Sequence, residues 1–179
     1  MPETIEIRCL ETVGDREIQG LCDVLIDCVE GGASVSFMLP MSRAKAEVYW
    51  RAASASLARG ELLLLAAEDA AGSIVGTVQV MLDQPENQPH RADLAKMLVH
   101  RRARRRGVGA ALLAAAERAA LSASKTLLVL DTASGDAERL YARHGWQRCG
   151  QIPHYALWPD GAPCATTIFF KLLRSGGGN

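Results

Sequence analysis

The sequence has no net charge and few aromatic residues. Lys and Arg together number 20, Asp and Glu also number 20, and aromatic residues make up 5% of the chain. A neutral chain gives no general electrostatic reason to bind nucleic acid or an anionic membrane surface. We therefore expect neither as a partner.

Metal-binding, disulfide and membrane-spanning patterns are also missing. The cysteines are odd in number and form no CxxC pair: Cys9, Cys22, Cys28, Cys149 and Cys164. This excludes the common zinc spacings and argues against a disulfide framework in a chain of this length. No apolar run is long enough to span a bilayer, and residues 1–4 show no signal-peptide pattern. We expect a cytoplasmic protein without a bound metal.

What the sequence does contain is an alternation of strand and helix patterns. Strands are predicted at 4–10, 62–68, 74–82, 92–99, 127–132, 147–155 and 166–172 from apolar runs and period-two alternation. Helices are predicted at 15–29, 42–59, 108–122 and 136–144 from three- and four-residue spacing and from capping residues. The order β α α β β β α β α β β predicts one α/β domain over residues 1–174, with helices on both faces of a mixed sheet. Residues 175–179 are predicted to form a flexible tail.

An arginine-rich, glycine-containing segment stands between a predicted strand and a predicted helix. Arginine occupies positions 101, 102, 104, 105 and 106, and the segment from 104 reads Arg-Arg-Arg-Gly-Val-Gly. A helix N-terminus offers unpaired N–H groups and a positive dipole end, and glycine lets a ligand approach the backbone. The segment therefore predicts a phosphate site, the alternative being a basic turn in which the glycines only start the helix.

Two familiar phosphate loops do not fit this segment. No Lys-Ser/Thr pair follows the glycines, which excludes a nucleoside-triphosphate P-loop. The glycine spacing also differs from the three-glycine dinucleotide fingerprint.

Two motifs resemble those of the GNAT N-acetyltransferase superfamily. The first is Arg104-x-x-Gly107-x-Gly109 after an apolar strand, and the second runs from Ala137 through Leu140-Tyr141 to Gly145-Trp146. The resemblance implies the GNAT fold, in which a mostly antiparallel central sheet splays between its fourth and fifth strands. It also implies acetyl-CoA as cosubstrate.

A narrower likeness is to the tabtoxin-resistance acetyltransferases, which acetylate the amine of an amino-acid-like β-lactam toxin. It is carried by residues 31–38, 91–93, 130–132, 159–161 and 168–171. It implies a small-molecule amine as acceptor and antibiotic or toxin resistance as a role. A homodimer is common in the family, although the sequence leaves the oligomeric state open.

The resemblance also implies where the cosubstrate binds. Pantetheine would pair with the backbone of Leu98 and Val99 in the gap between the fourth and fifth strands. The pyrophosphate would bind at Arg104, Arg105, Arg106, Gly107, Val108, Gly109 and Ala110. Arg143, one turn from Tyr141, is a further candidate for a CoA phosphate.

Three side chains are candidates for proton transfer. An acceptor ammonium must lose a proton before its nitrogen can attack the thioester, and Asp131 is the candidate base at the end of an apolar strand. Burial there would make it a stronger base, and Asp93 could share the task. Tyr141 is the candidate acid for the departing thiolate. The alternatives are strand-end carboxylates that cap a turn or face solvent, and a tyrosine that only packs.

The acceptor pocket is the least defined part of the sequence. Phe37, Met38 and Tyr49 either line its mouth or pack in the core. The loops 37–40 and 159–163 favour a closed pocket for a small acceptor over an open groove for a protein. Three other readings stay open at this stage: a protein or peptide N-acetyltransferase, an inactive acyl-CoA-binding sensor, and RNA binding by the arginine cluster.

Overall fold

A computed structural model describes residues 5–174 of the 179-residue chain. The predicted tail at 175–179 and Thr4 at the predicted start of the first strand lie outside these residues. The strands are β1 Glu6–Leu10, β2 Leu62–Glu68, β3 Ile74–Met81, β4 Arg91–Val99, β5 Leu127–Thr132, β6 Gln147–Leu157 and β7 Pro163–Leu172. The helices are α1 Asp15–Glu30, α2 Arg43–Ala58, α3 Val108–Ser122 and α4 Gly135–Arg143. None of these helices combines the length and the apolar character needed to cross a bilayer.

Local sequence signals set most of the helix boundaries. Ser42 caps α2, because its hydroxyl accepts a hydrogen bond from the N–H of Lys45 at 3.2 Å. Ser134 caps α4 in the same way through the N–H of Ala137. The last two strands are longer than predicted: β6 runs on to Leu157 and β7 begins at Pro163.

The seven strands form one sheet in the order β1-β2-β3-β4-β5-β7-β6. Every neighbouring pair is antiparallel except β4 and β5, which run parallel. This confirms the predicted mixed α/β fold with a mostly antiparallel sheet.

Two apolar cores lie on opposite faces of the sheet. One packs α3 against the sheet through residues such as Leu112, Leu113 and Leu128. The other packs α1 and α2 against the opposite face around Trp50, Leu25 and Leu64. Helices therefore cover both faces, as predicted. The functional groups are expected where the sheet itself opens.

The opening is at the junction of β4 and β5. The two strands pair only from Arg91 with Leu127 to Asp93 with Val129, after which β5 continues beside β7 alone. The splay predicted between the fourth and fifth strands is thus present, and it leaves the far half of β4 without a partner on that side.

A β-bulge interrupts β4 within this unpaired half. The register with β3 shifts between Thr77 and Gln79, and Lys96 adopts a left-handed backbone with φ of 51°. A bulge inserts one residue and reverses which face the following side chains occupy. Accordingly Leu94 packs with α3, whereas Leu98, an even number of residues later, packs with α1 and α2.

Candidate active site

The predicted phosphate segment forms a turn at the start of α3. Gly107 is the N-cap of this helix and has a φ of 79°. A Cβ added there would meet nothing within 4 Å, so this glycine is favoured by its left-handed backbone and not by lack of space. Arg105 is also left-handed, with φ of 60°.

Backbone donors at this turn suit an anion. The N–H of Ala111 donates to the carbonyl of Gly107 at 3.0 Å and closes the first helical turn. The N–H groups of Val108, Gly109 and Ala110 find no acceptor among the described residues. Such donors, at the positive end of the helix dipole, form a site that fits a phosphate group.

Gly109 allows α4 to approach this helix start. A Cβ at position 109 would lie 3.2 Å from the Cδ2 atom of Leu140 on α4. The two sequence motifs therefore meet here. Arg143 lies exposed in the last turn of α4.

Protein groups already engage much of the arginine cluster. Arg101 donates from Nε to Asp27 at 2.9 Å, and Arg102 pairs with Asp69 at 3.4 Å. The Nε of Arg104 donates to the carbonyl of Val99 at 3.2 Å. These three side chains hold the turn against neighbouring elements, so the anion site depends more on backbone donors than the sequence indicated.

The backbone of β4 divides its donors and acceptors between two sides. The N–H of His100 donates to the carbonyl of Val75 on β3 at 2.9 Å. Because backbone groups of an antiparallel strand alternate between its two sides, the N–H and carbonyl of Leu98 also face β3. The N–H and carbonyl of Val99 face the gap beside β5. The Val99 carbonyl already accepts from Arg104 and from the Cys28 thiol. The group left to face the gap is thus the N–H of Val99, while the backbone of Leu98 belongs to the sheet.

Asp131 lies near the end of β5, where the sheet opens. Its Oδ2 atom accepts a hydrogen bond of 2.6 Å from the hydroxyl of Thr166 on β7. The side chain is exposed, so the expectation of a base strengthened by burial is wrong. The reason is the splay, because β4 has already diverged and no longer covers this part of β5.

Asp93 lies on β4 at the closed end of the splay. It pairs with Val129, two residues before Asp131, so both carboxylates belong to the same face of the sheet. Its oxygens are engaged by the guanidinium of Arg91 and by Gln84 Nε2 at 3.3 Å. Asp93 is therefore an ion-paired carboxylate, and Asp131 is the one bound only by a neutral hydroxyl.

Tyr141 is buried on α4, with 4% of its surface exposed. Its ring centroid lies 5.7 Å from that of Trp146 and 5.8 Å from that of Phe169. Burial, together with the negative charge of Asp131, raises the pKa of Tyr141 above the ordinary phenol value. The phenol therefore keeps its proton at neutral pH and is available as a donor near Asp131.

A cavity of about 380 Å³ opens beside Asp131. Phe37 and Met38 line it together with Thr166 and Tyr155. Two hydrogen bonds join the loop and the hairpin that contribute to its lining: the hydroxyl of Ser34 donates to the Leu157 carbonyl, and the N–H of Leu39 donates to the Pro159 carbonyl at 3.0 Å. The loop between α1 and α2 is thus fastened to the β6–β7 hairpin.

Tyr49 lies behind Phe37 and not in the cavity lining. The two rings meet edge to face with centroids 5.3 Å apart, and the Tyr49 hydroxyl donates to Gln79 Oε1 at 3.0 Å. Burial raises the pKa of Tyr49 to about 12, against the opposing effect of the Gln79 hydrogen bond.

Lys96 is the site residue that the sequence analysis missed. Its ammonium lies 3.1 Å from the Ser36 hydroxyl and 5.5 Å from the centre of the Tyr49 ring. Burial lowers the pKa of Lys96, while the negative charge of Asp131 opposes this shift. A single lysine within a strand pattern carries no signal, because the bulge that directs it is a tertiary feature.

A larger groove of about 650 Å³ lies elsewhere, between α1 and the β2–β3 turn. Charged side chains line it, and those of Asp23, Asp27 and Arg102 are already in ion pairs. It contains none of the predicted catalytic residues, so we assign the chemistry to the smaller cavity. Within residues 5–174, no group of three or more His, Cys, Asp or Glu side chains could hold a metal ion.

Comparison with solved structures gives the same fold over nearly the whole chain. A ribosomal-protein-alanine N-acetyltransferase from Brucella melitensis matches at 22% identity and a TM-score of 0.76, covering 94% of this chain and 99% of that one. An N-acetyltransferase from Staphylococcus aureus Mu50 matches at 17% identity and a TM-score of 0.78, covering 96% and 99%. A GNAT phosphinothricin acetyltransferase from Sinorhizobium meliloti, solved with acetyl-CoA, matches at 15% identity and a TM-score of 0.76, covering 97% and 89%.

The family comparison adds the class of chemistry. The model of the acetyltransferase (GNAT) domain matches residues 59–148, half of the chain, from the end of α2 to the start of β6. This segment includes the splayed strands, the anion-binding turn and α4. The chain therefore belongs to the GNAT family and is an acetyl-CoA-dependent N-acetyltransferase.

Proposed function

We propose that this enzyme transfers the acetyl group of acetyl-CoA to a primary amine of a small molecule by direct attack of the amine on the thioester. The observation that carries the proposal is the position of Asp131. It lies at the open end of the splay, in the lining of a cavity of about 380 Å³ to which the loop after α1 and the β6–β7 hairpin also contribute. A cavity of this size suits a small acceptor, whereas a protein acceptor would need an open groove.

The chain's own groups supply binding and proton transfer. The N–H groups at the start of α3 bind the CoA pyrophosphate, with Arg105 and Arg106 beside them, and the Val99 N–H faces the thioester arm. Acetyl-CoA brings an acetyl group that is already activated. Asp131 removes a proton from the acceptor ammonium so that the nitrogen can form the amide bond. As the carbon–sulfur bond breaks, Tyr141 donates a proton to the thiolate, and the second proton that leaves the attacking nitrogen returns the phenol to its neutral form through water.

Asp131 is the base in this proposal, and Asp93 has a supporting role. Asp131 accepts one hydrogen bond from Thr166, which orients it without neutralising its charge. Asp93 is held by the guanidinium of Arg91, so its carboxylate already has a charged partner. Phe37 and Met38 line the acceptor cavity, and Tyr49 supports Phe37 from behind.

The acceptor itself stays a prediction. The Brucella neighbour is named for a ribosomal-protein alanine and the Sinorhizobium neighbour for phosphinothricin, so neighbours with the same fold carry names that point to different acceptors. A cavity of about 380 Å³ supports a small amine, such as the amino-acid-like β-lactam toxin that the sequence likeness implies. A role in toxin resistance, a cytoplasmic location, a homodimer and a single domain over residues 1–174 also stay predictions.

The test is thiol release from acetyl-CoA across a panel of amino acids, aminoglycosides, polyamines and peptides. Asp131→Asn and Tyr141→Phe should each lower kcat for the best acceptor by roughly tenfold or more. Asp93→Asn is the matched control and should lower kcat by a smaller factor. Acetyl-CoA affinity, measured by calorimetry, should stay the same in all three variants.

Three outcomes would contradict the proposal in different ways. Saturable acetyl-CoA binding without turnover of any amine would indicate a sensor. Turnover restricted to peptides would replace the small acceptor with a protein. A larger loss of kcat in Asp93→Asn than in Asp131→Asn would mean that Asp93, and not Asp131, is the base.

A further inference from the structure

The ammonium of Lys96 lies next to two residues that line the cavity, Ser36 and Phe37. The bulge in β4 brings the side chain to the face of the sheet that α1 and α2 cover. Its Nζ atom lies 6.0 Å from the ring centre of Phe37, a residue that lines the cavity, and 5.5 Å from that of Tyr49. Its one hydrogen bond within the described chain goes to the Ser36 hydroxyl, another lining residue.

The surroundings of the Lys96 ammonium compensate its positive charge only in part. Burying an ammonium costs free energy unless it is paired with an opposite charge. Two ring faces and one hydroxyl supply part of that compensation. Asp131 acts on Lys96 only through space, and no carboxylate of residues 5–174 forms an ion pair with it. The ammonium therefore retains capacity for an anion.

A second lysine lies near the same ring. Lys45 on α2 places its Nζ atom 5.8 Å from the Phe37 ring centre and donates to the carbonyl of Met38 at 3.4 Å. It is exposed, whereas Lys96 is half-buried and bonded to the lining residue Ser36. Positive charge at Lys96 thus lies directly behind lining residues of the cavity, and negative charge at Asp131 lies in the lining itself.

We propose that the acceptor is an amino-acid-type zwitterion whose carboxylate, or an equivalent oxyanion, binds Lys96 while its amine faces Asp131. This rests on the function proposed above and names the class of its substrate. A zwitterion matches both charges of the cavity, whereas a polyamine would place a second cation against Lys96. The amine is thereby held at the end of the cavity where Asp131 can take its proton.

Matched acceptors and matched variants test this assignment. Each amino acid of the panel is compared with its carboxamide, which keeps the amine and removes the negative charge, and kcat/KM is expressed per unprotonated amine. Wild type should prefer the acid of each pair. Lys96→Met should lower kcat/KM for the acid by roughly 10- to 100-fold, mainly through KM, because a charge-assisted hydrogen bond is lost.

The same variant should leave the carboxamide within about threefold of wild type, because the carboxamide carries no charge for Lys96 to bind. Lys96→Arg should restore part of the preference for the acid, since it keeps the charge. Lys45→Met is the matched control, and its exposed charge should matter less.

A second measurement does not depend on turnover. Lys96 in the acetyl-CoA-loaded enzyme is labelled with an amine-reactive reagent and quantified by peptide mass spectrometry. Amino acids of the panel should slow this labelling, and their carboxamides should not. If no amine is turned over, the proposed function fails, and this labelling result alone still decides whether Lys96 binds the carboxylate.

Several results would overturn the inference while leaving the acetyltransferase intact. One is equal kcat/KM for acids and carboxamides in wild type. Another is an equal loss for both acceptors in Lys96→Met, which would make Lys96 structural. A third is an acetyl group on the Lys96 peptide after incubation with acetyl-CoA alone, which would make this lysine an acceptor and not a binding group.

Discussion

Two partly or fully buried phenols, Tyr49 and Tyr141, hold their protons far into the alkaline range. Burial is the main cause for both, and the charge of Asp131 adds to it for Tyr141. The pKa of Tyr49 is raised to about 12. In the unfolded chain both phenols would titrate near the ordinary value of about 10.

These shifts predict a loss of stability at high pH. Because the folded state binds these protons more tightly than the unfolded state, their contribution is fully present below pH ~10 and is lost as the pH rises towards the folded pKa values. The free energy of unfolding should therefore fall between about pH 10 and 12, by at most ~1.4 kcal/mol per pH unit for each phenol. Urea denaturation across this range measures the slope.

Substitution assigns the slope to particular residues. Tyr49→Phe and Tyr141→Phe should each make the alkaline decline shallower. Tyr155→Phe, at an exposed position on β6, is the control and should leave the decline unchanged. A decline as steep in the double variant Tyr49→Phe/Tyr141→Phe as in wild type would contradict this explanation.

At the scale of single elements, the start of α3 and the bulge of β4 both depend on left-handed residues. Gly107 has a φ of 79° at the helix N-cap, and Lys96 has a φ of 51° at the bulge. A left-handed backbone costs a residue with a Cβ roughly 1–2 kcal/mol. The chain meets this cost at Lys96 and at Arg105 in the turn before α3, and it avoids the cost at the N-cap of α3 by using glycine.

The role of the Gly107 turn can be tested with a substitution that causes no steric clash. Gly107→Ala adds a methyl group that meets no atom within 4 Å, so its effect comes from the backbone alone. We expect the free energy of unfolding to fall by about 1–2 kcal/mol and acetyl-CoA binding to weaken, because the N–H groups lose their alignment. Denaturation and calorimetry measure the two effects.

Gly150→Ala provides a matched control. It makes the same change on β6, where a Cβ also meets nothing within 4 Å and where φ is not in the left-handed region. The free energy of unfolding and the acetyl-CoA affinity of Gly150→Ala should both stay near the wild-type values. If Gly107→Ala binds acetyl-CoA as tightly as this control does, the turn does not align the donors.

At the scale of the whole molecule, the edge formed by β6 is the clearest candidate for contact with a second copy. This strand pairs only with β7 in the sheet order. Ile152, Tyr155 and Leu157 on it are 41%, 56% and 48% exposed, which is unusual for neighbouring apolar residues on a sheet edge. We predict that the homodimer implied by the family resemblance forms through this edge.

Light scattering after size exclusion measures the oligomeric state. Wild type should have twice the mass of one chain, and Ile152→Lys should shift it towards the mass of one chain. Val48→Lys, at an apolar position on α2 that is 72% exposed, should leave the dimer intact. If the wild-type protein has the mass of one chain at micromolar concentration, the dimer prediction is wrong.

Local signals in the sequence were sufficient for most of the elements and for the glycine turn that starts α3. Helix α3 begins and ends where its alanine-rich pattern does, and β2 and β5 match their apolar runs. These features depend on residues close together in the chain, through capping, periodicity and glycine. The same reasoning placed the splay, because the motifs resemble a family in which it occurs.

Only the tertiary structure decided how the side chains of the site are exposed and paired. It left Asp131 exposed, paired Asp93 with Arg91, and brought Lys96 into the aromatic surroundings of the cavity. The exposure of Asp131 depends on where β4 leaves β5, and the position of Lys96 depends on a one-residue bulge that reverses the faces of a strand. Such changes of register come from packing between distant segments, and local sequence patterns carry no record of them.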